Sequence, residues 1–308
     1  MAVPIIVDCD PGVDDAIALL LAFGLDMPIA GITTVAGNVP LSLTYPNARK
    51  ICALANRPQV PVFAGCPRPL LRPLATAEEV HGATGLQGAD FPEPPPSTES
   101  HHSVDFLIQQ LLNASEPIRI AALGPLTNLA VALIKCPQIA EKIEQLVIMG
   151  GAMAQGNITP SAEFNMYVDP HAAHVVFESA IPITLITLDV THRVLTTPER
   201  LADIQAIGNP VSDAAAGMLS FYGQHDLARY GLPGAPLHDP CVLAYLYNPD
   251  LFTTRKVDVS IETAGEHTLG RTVVDWYGKG ERSTIQVAET VDVEGVYQLL
   301  VDALRSFS

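Results

Sequence analysis

Short runs that are apolar at every position, rather than at every second one, constrain this chain most. "VPIIVDC", "IAGITTVAG", "PVFAG", "IRIAAL", "IEQLVIMGG" and "ITLITLDV" succeed one another up to about position 190. A strand with one wet face alternates apolar and polar residues, so unbroken apolar strands must be covered on both faces. Helical patterns lie between most of them: "DDAIALLLAFG", "PLSLTYPNARKICALAN", "SVDFLIQQLLNA", "PLTNLAVALIKC" and "DPHAAHVVFESA". Alternating units of this kind predict an α/β fold, with an open, mostly parallel central sheet flanked by helices.

The pattern changes after position 195. Helical stretches around "PERLADIQAIG" and "SDAAAGMLSFYGQHDLARY" lead to "DPCVLAYLYN"; candidate strands "KVDVSIET", "TLGRTVVDWYG" and "STIQVAE" follow, and "EGVYQLLVDALRSF" reads as a closing helix. The Pro-rich "FPEPPPSTES" is a surface loop, and no flexible linker divides the chain. The expectation is a single domain, 1–308, with a late helical region lying over the sheet's carboxyl edge.

A formal net charge of −16 argues against a nucleic-acid partner, which needs clustered Lys and Arg, and against an anionic membrane surface. Five scattered cysteines without a C-x-x-C pair read as buried thiols in a reducing compartment. "MAVPIIVDCDP" lacks a basic n-region and "AIALLLAFGL" is too short to span a bilayer, so a cytoplasmic protein is expected.

Ligands of an open parallel sheet bind at the carboxyl ends of its strands. Polar groups stand at nearly every such end here. Asp8, Asp10, Asp14 and Asp15 follow the first strand, Asn38 the second, and "GPLTN" follows "IRIAAL". Asn157, Glu163 and Asn165 lie after "VIMGG", and Asp189, Thr191 and His192 after "ITLITLDV". Helix capping accounts for one or two aspartates. It accounts poorly for four, because adjacent carboxylates raise one another's pKa unless a positive group intervenes. The first basic residue is Arg49, so a hard divalent cation with oxygen ligands is the economical remedy, Ca²⁺ before Mg²⁺.

In "LHDPC", Asp239 precedes Pro240 and by itself reads as a helix cap, with His238 an ordinary partly buried histidine. Asn157, Glu163 and Asn165 around Phe164 and Met166 suggest a polar pocket with an apolar floor, suited to sugar hydroxyls. Met149, in "MGGAM", is by default core. His81, in "VHGATGLQGAD", stands either on a functional lid or on an ordinary surface loop.

Taken in order, "DCDPGVDDA", "AGN", "HGATGL", "GPLTNLA", "MGGAM", the "AEFN…YVDP" stretch and "LHDPC" resemble the inosine-uridine-preferring nucleoside hydrolase family across nearly the whole chain. "GAPLHDPC" further resembles the bacterial pyrimidine-preferring branch. The resemblance implies a Rossmann-like sheet and Ca²⁺-dependent hydrolysis of ribonucleosides to ribose and free base. By position, it makes Asp10, Asp15, Asp239 and the Leu123 carbonyl the metal ligands, and Asp10 the general base. It assigns Asp14, Asn38, Asn157, Glu163 and Asn165 to ribose, with Met149 packing near the sugar. His238 falls near the nucleobase, as a candidate catalytic partner of Asp10. His81 matches a lid histidine, and Tyr230 an aromatic near the base that favours uridine and cytidine. The family also implies a homo-oligomer, dimer or tetramer.

The chemistry agrees with these residue types. Breaking an N-ribosidic bond builds positive charge on the sugar, which a fixed, carboxylate-rich pocket stabilises. A general base adds roughly 10²–10⁴-fold. Three other readings remain open: a purine-preferring or non-specific hydrolase, a non-catalytic nucleoside- or ribose-binding protein, and a D-x-D phosphatase. The last is disfavoured by Pro11 and by the lack of a phosphate-holding Lys or Arg at the right strand end.

Overall fold

The computed structural model describes residues 3–97, 99–231, 233–278 and 285–307. Side chains of residues 225, 226 and 228–230, Tyr230 among them, lie outside the described set.

The strands are β1 (Ile5–Cys9), β2 (Ile29–Thr34), β3 (Val62–Ala64), β4 (Ile118–Ala122), β5 (Ile143–Met149), β6 (Ile183–Ile186), β7 (Leu195–Thr196), β8 (Ala235–Pro236), β9 (Phe252–Ile261), β10 (Thr272–Asp275) and β11 (Ile285–Val291). One sheet runs in the order β10-β9-β11-β6-β5-β4-β1-β2-β3, while β7 and β8 form a separate small pair. From β3 to β11 every pairing is parallel; β9 and β10 add antiparallel strands at the far edge. The expected mostly parallel sheet is therefore present, and its strands come from both ends of the chain.

Side-chain alternation divides the interior into two cores. Ile5, Val7 and Cys9 of β1, with Val147 and Met149 of β5, face the helices Val13–Gly24, Pro240–Tyr247 and Val293–Arg305. Ile6, Ile120, Leu146 and Ile148 face Ser103–Asn113, Thr127–Lys135 and Pro170–Phe177 on the other side. Covering both faces is what unbroken apolar strands require, each fully buried Leu or Ile contributing about 1.5–3 kcal/mol. The helix Val13–Gly24 is buried from Val13 to Phe23, apolar all round after its first turn. At its end Gly24 leaves no room for a Cβ, which would sit 2.3 Å from the Ala303 carbonyl oxygen of the closing helix.

Strand order reverses between β1 and β4: the chain first builds outward through β2 and β3, then returns to lay β4 on the other side of β1. Such a switch point opens a crevice beyond the carboxyl ends of the two strands. Residues Asp10 and Leu123 stand at that place. The helix Pro210–Tyr230 packs against Val13–Gly24 and the short helix Glu78–His81, so the late helical region does lie over this edge.

Candidate active site

β1 ends at Cys9, and the turn Asp10-Pro11-Gly12 leads into the helix Val13–Gly24. The four aspartates divide at this point. Asp8 is still inside the strand and points to the opposite core from Val7 and Cys9. Its Oδ1 accepts from Thr33 Oγ1 at 2.5 Å and Asn128 Nδ2 at 2.8 Å. Burial pushes its carboxyl up to about 6, against those two hydrogen bonds. Asp8 therefore ties β1 to β2 and to the helix Thr127–Lys135, and the acidic cluster is formed by the other three with Asp239.

Asp10 is clasped between the ends of β2 and β4. Its Oδ2 accepts the Asn38 N–H at 2.7 Å. A Cβ on Gly37 would lie 2.0 Å from that oxygen, and one on Gly124 2.4 Å from Oδ1, so both neighbouring strands reach the carboxylate through glycine backbone. Oδ1 is buried without a hydrogen-bond partner among the described residues. Asp15 is held by main chain: Oδ1 accepts from Asp10 N at 3.1 Å, and Oδ2 from Gly12 N at 2.9 Å and Asn38 Nδ2 at 3.0 Å. Capping thus explains part of Asp15. It does not explain Asp239, which precedes Pro240–Tyr247 yet makes no side-chain cap bond to that helix.

Oxygens of Asp14, Asp15 and Asp239 come within 4.8 Å of one another, and all three residues are buried. The trio differs in one member from the expected ligand set: it holds Asp14 where Asp10 is expected. Asp10 is raised well above the usual carboxylate range by burial and then by the Asp15 charge. Asp239 is raised well above it by burial and then by Asp14, Asp15 and Asp10. Asp15 is pushed up to about 6 by burial, against its hydrogen bonds to Gly12 and Asp10. Asp15 and Asp239 lie close enough for each to bear on the other's carboxyl. A cation among these carboxylates would oppose those shifts.

A cavity of about 740 Å³, counting its open mouth, lies over the cluster. Asp14, Asn38, Leu123 and Asp239 form its floor. Asn38 spends its amide on the Asp10 carbonyl and Asp15, so it holds the acids in place.

One wall carries Met149, Asn157, Glu163 and Asn165. Glu163 takes three backbone N–H bonds, from Gly151, Asn165 and Met166, at 2.9–3.1 Å. Burial still leaves its carboxyl raised. Asn165 Nδ2 donates to the Leu123 carbonyl at 2.7 Å and the Met149 carbonyl at 3.2 Å, and Asn157 Oδ1 accepts from Phe164 N at 2.9 Å.

His81, His192, Tyr222 and His238 also line the cavity. His81 is buried, and its Nδ1 accepts the Val13 N–H at 3.1 Å, capping the helix that starts beside the acids. Gly12 makes that approach possible, since a Cβ there would lie 2.6 Å from Nδ1. His81 also stacks on Tyr222, with centroids 5.3 Å apart. The surface-loop alternative for His81 is thereby excluded. His238 Nδ1 pairs with Thr191 Oγ1 at 2.7 Å, and its ring meets His192 edge-on at 5.4 Å. Burial, then His192 and His81, push His238 well below the usual histidine range, so it is neutral at neutral pH. Tyr230 lies outside the described side chains.

Every described residue expected at the site lines this cavity except Asp10 and Asp15, which are fully buried. Lining positions that the sequence reading did not assign to the site are Thr76, Ala77, Glu79, Val80, Ile158, His192 and Tyr222. His192 stood out as a polar group near a strand end. Thr76 and Glu79 had no signal, because they follow a long loop without periodicity.

A sequence profile of the inosine-uridine preferring nucleoside hydrolases matches residues 5–298. The chain belongs to that family. This nucleoside hydrolase is 44% identical, over 100% of both chains, to the pyrimidine-specific ribonucleoside hydrolase RihA of Escherichia coli. Among solved structures it matches a purine-preferring ribonucleoside hydrolase from Gardnerella vaginalis with a TM-score of 0.93 and 31% identity, over 99% of this chain and 98% of that one. A plant nucleoside hydrolase matches with a TM-score of 0.92 and 32% identity, over 99% of each.

Proposed function

We propose that this nucleoside hydrolase cleaves the N-glycosidic bond of ribonucleosides to ribose and free base, prefers uridine and cytidine, and uses Ca²⁺. The observation that carries the reading is the buried group of Asp10, Asp14, Asp15 and Asp239 beside an open polar cavity at the sheet's switch point.

The residues fit a hard cation. All the donors are oxygens, Asp10 Oδ1 is buried and unpartnered among the described residues, and burial and then the neighbouring carboxylates raise Asp10 and Asp239. Asp10, Asp15, Asp239 and the Leu123 carbonyl would hold the ion, with Asp14 converging on the same place. When bound, it supplies neutralising charge and Lewis acidity toward oxygen.

The chain's own groups supply the remaining steps. Glu163, Asn157 and Asn165 orient the sugar, and Met149 packs against it. Asp10 takes a proton from the attacking water, a role suited to a buried carboxylate whose basicity is raised. The fixed carboxylates and amides stabilise the positive charge that grows on the ribosyl carbon. Neutral His238, oriented by Thr191, can hydrogen-bond to the departing base, with His81 and Tyr222 enclosing it.

The pyrimidine preference rests on the full-length likeness to RihA. The likeness in structure to a purine-preferring enzyme supports the second reading, a purine-preferring or non-specific hydrolase. The unpartnered oxygen of Asp10 favours catalysis over mere binding, because a binder needs no base. Among the described residues all five cysteines are free, in keeping with a reducing cytoplasm. No helix among the described residues is long and apolar enough to cross a membrane. A single working unit, 1–308, assembled as a homo-oligomer, completes the proposal.

The test is ribose release from uridine, cytidine, inosine and adenosine, each with and without chelator. Metal-dependent release that is fastest with uridine or cytidine supports the reading. Faster release from inosine overturns the base preference, and binding of uridine without release overturns the enzyme.

A further inference from the structure

The antiparallel strands β9 and β10 lie at the far edge of the sheet, with β11, β6, β5 and β4 between them and β1. Three consecutive residues entering β10 nevertheless reach the sugar wall. Gly270, at φ +79°, presses on the short helix Phe164–Val168 so closely that a Cβ would lie 2.8 Å from Tyr167 Cα. Arg271 donates through Nη2 to the Met153 carbonyl at 3.2 Å and through Nη1 to the Ser161 carbonyl at 3.5 Å. Thr272 Oγ1 accepts the Ala152 N–H at 2.8 Å and donates to the Ala152 carbonyl at 3.2 Å. One hydroxyl thus satisfies both backbone groups of a buried residue.

The segment they hold has little regular structure of its own, yet it places Asn157 and Glu163. Gly151, the residue before Ala152, takes φ +76° and fits under Thr272 only because it lacks a Cβ, which would lie 2.7 Å from Oγ1. Its N–H is one of the three that fix the Glu163 carboxylate, and its carbonyl accepts from Leu188 N. The chain of contacts runs from Thr272 through Ala152 and Gly151 to Glu163. Arg271 holds the same segment at Met153 and Ser161, on either side of Asn157.

The geometry points to Arg271 and Thr272 as positioning residues for the sugar wall, clamping the backbone of residues 151–161 so that Asn157 and Glu163 meet the ribosyl group. Neither residue lines the cavity, so each acts through others. The inference rests on the ribonucleoside reading of the site and adds to it what holds the wall in place. It also gives the antiparallel edge a purpose in the site.

The variants are Thr272→Val, which keeps the shape and loses both bonds to Ala152, Thr272→Ser, which restores them, and Arg271→Met. Uridine kinetics, Ca²⁺ titration and amide hydrogen exchange over residues 150–168 are measured on each. Thr272→Val and Arg271→Met are expected to raise KM about tenfold or more, with Thr272→Ser within about threefold of the parent. Loop amides exchange faster in the first two, and Ca²⁺ affinity stays at the parent value. In a Glu163→Gln background Thr272→Val adds less than about twofold, because both changes act on one carboxylate. The clamp is refuted if the variants lower thermal stability but leave KM and loop exchange unchanged, or if the two effects multiply independently. If Thr272→Val does not fold, Arg271→Met decides. Should the parent release no ribose from any nucleoside, the hydrolase reading falls, while loop exchange still judges the clamp.

Discussion

Gly37→Ala tests how tightly the structure fixes Asp10. The added methyl would lie 2.0 Å from Asp10 Oδ2 and 2.8 Å from Pro125 Cδ. That is about 1.4 Å short of ordinary contact on the carboxylate side. Gly124 crowds the carboxylate from the other side, where an added Cβ would lie 2.4 Å from Oδ1. The carboxylate must therefore rotate or β2 must withdraw, and either movement breaks the 2.7 Å bond from the Asn38 N–H. A hydrogen bond to a charged group is worth about 1.5–3 kcal/mol, and misplacing a reacting group by about 1 Å costs on the order of 10²-fold in rate. Stopped-time ribose assays on uridine should show kcat down by about 10² or more. Calorimetry should show uridine still binding within about tenfold, because the sugar wall is untouched. An alanine enzyme with parental kcat would refute the assignment of Asp10 as a base held at a fixed place.

Other perturbations follow from the same geometry. Stripping metal with a chelator should lower Tm by several degrees, since the buried carboxylates lose their counter-charge; Ca²⁺ should restore it in differential scanning fluorimetry, and an unchanged Tm would count against a bound ion. His81→Ala removes the acceptor for the Val13 N–H and the stack on Tyr222, and should raise the KM for uridine about tenfold while leaving Ca²⁺ affinity near parental. His192 is held below the ordinary histidine value of 6.5 by burial, against Asp189. Its folded form resists the proton that the unfolded chain accepts, so its contribution is complete above pH 6.5 and is lost as pH falls below it. Thermal melts of His192→Gln should therefore fall less steeply than the parent between pH 7 and pH 5.

The parts of this molecule readable from sequence are those with short-range causes. Apolar strands and intervening helices marked the sheet, and the paired acids Asp14 and Asp15 marked the first strand's mouth. Asp8 was harder. A four-acid cluster gives no sign of where the strand ends, and only the end at Cys9 sends Asp8 to the opposite core while Asp10 turns over the edge. His81 was undecidable because its partner, the Val13 N–H, lies 68 positions away. The cap that Asp239 alone suggests is not made, and the residue lies instead in the buried group with Asp14 and Asp15. Gly37 and Gly124 look like turn glycines in sequence and prove to be the walls around Asp10. The late strands were visible as strands; that the residues entering β10 would reach back to Ala152, 120 positions earlier, was not.

The most direct test is Asp10→Asn, which keeps the shape at the end of β1 and removes the base. Ribose release and uridine affinity are measured on the Ca²⁺-loaded protein beside the parent. Turnover should fall by at least about 10² while uridine is still bound. Undiminished ribose release from the asparagine protein would contradict the account.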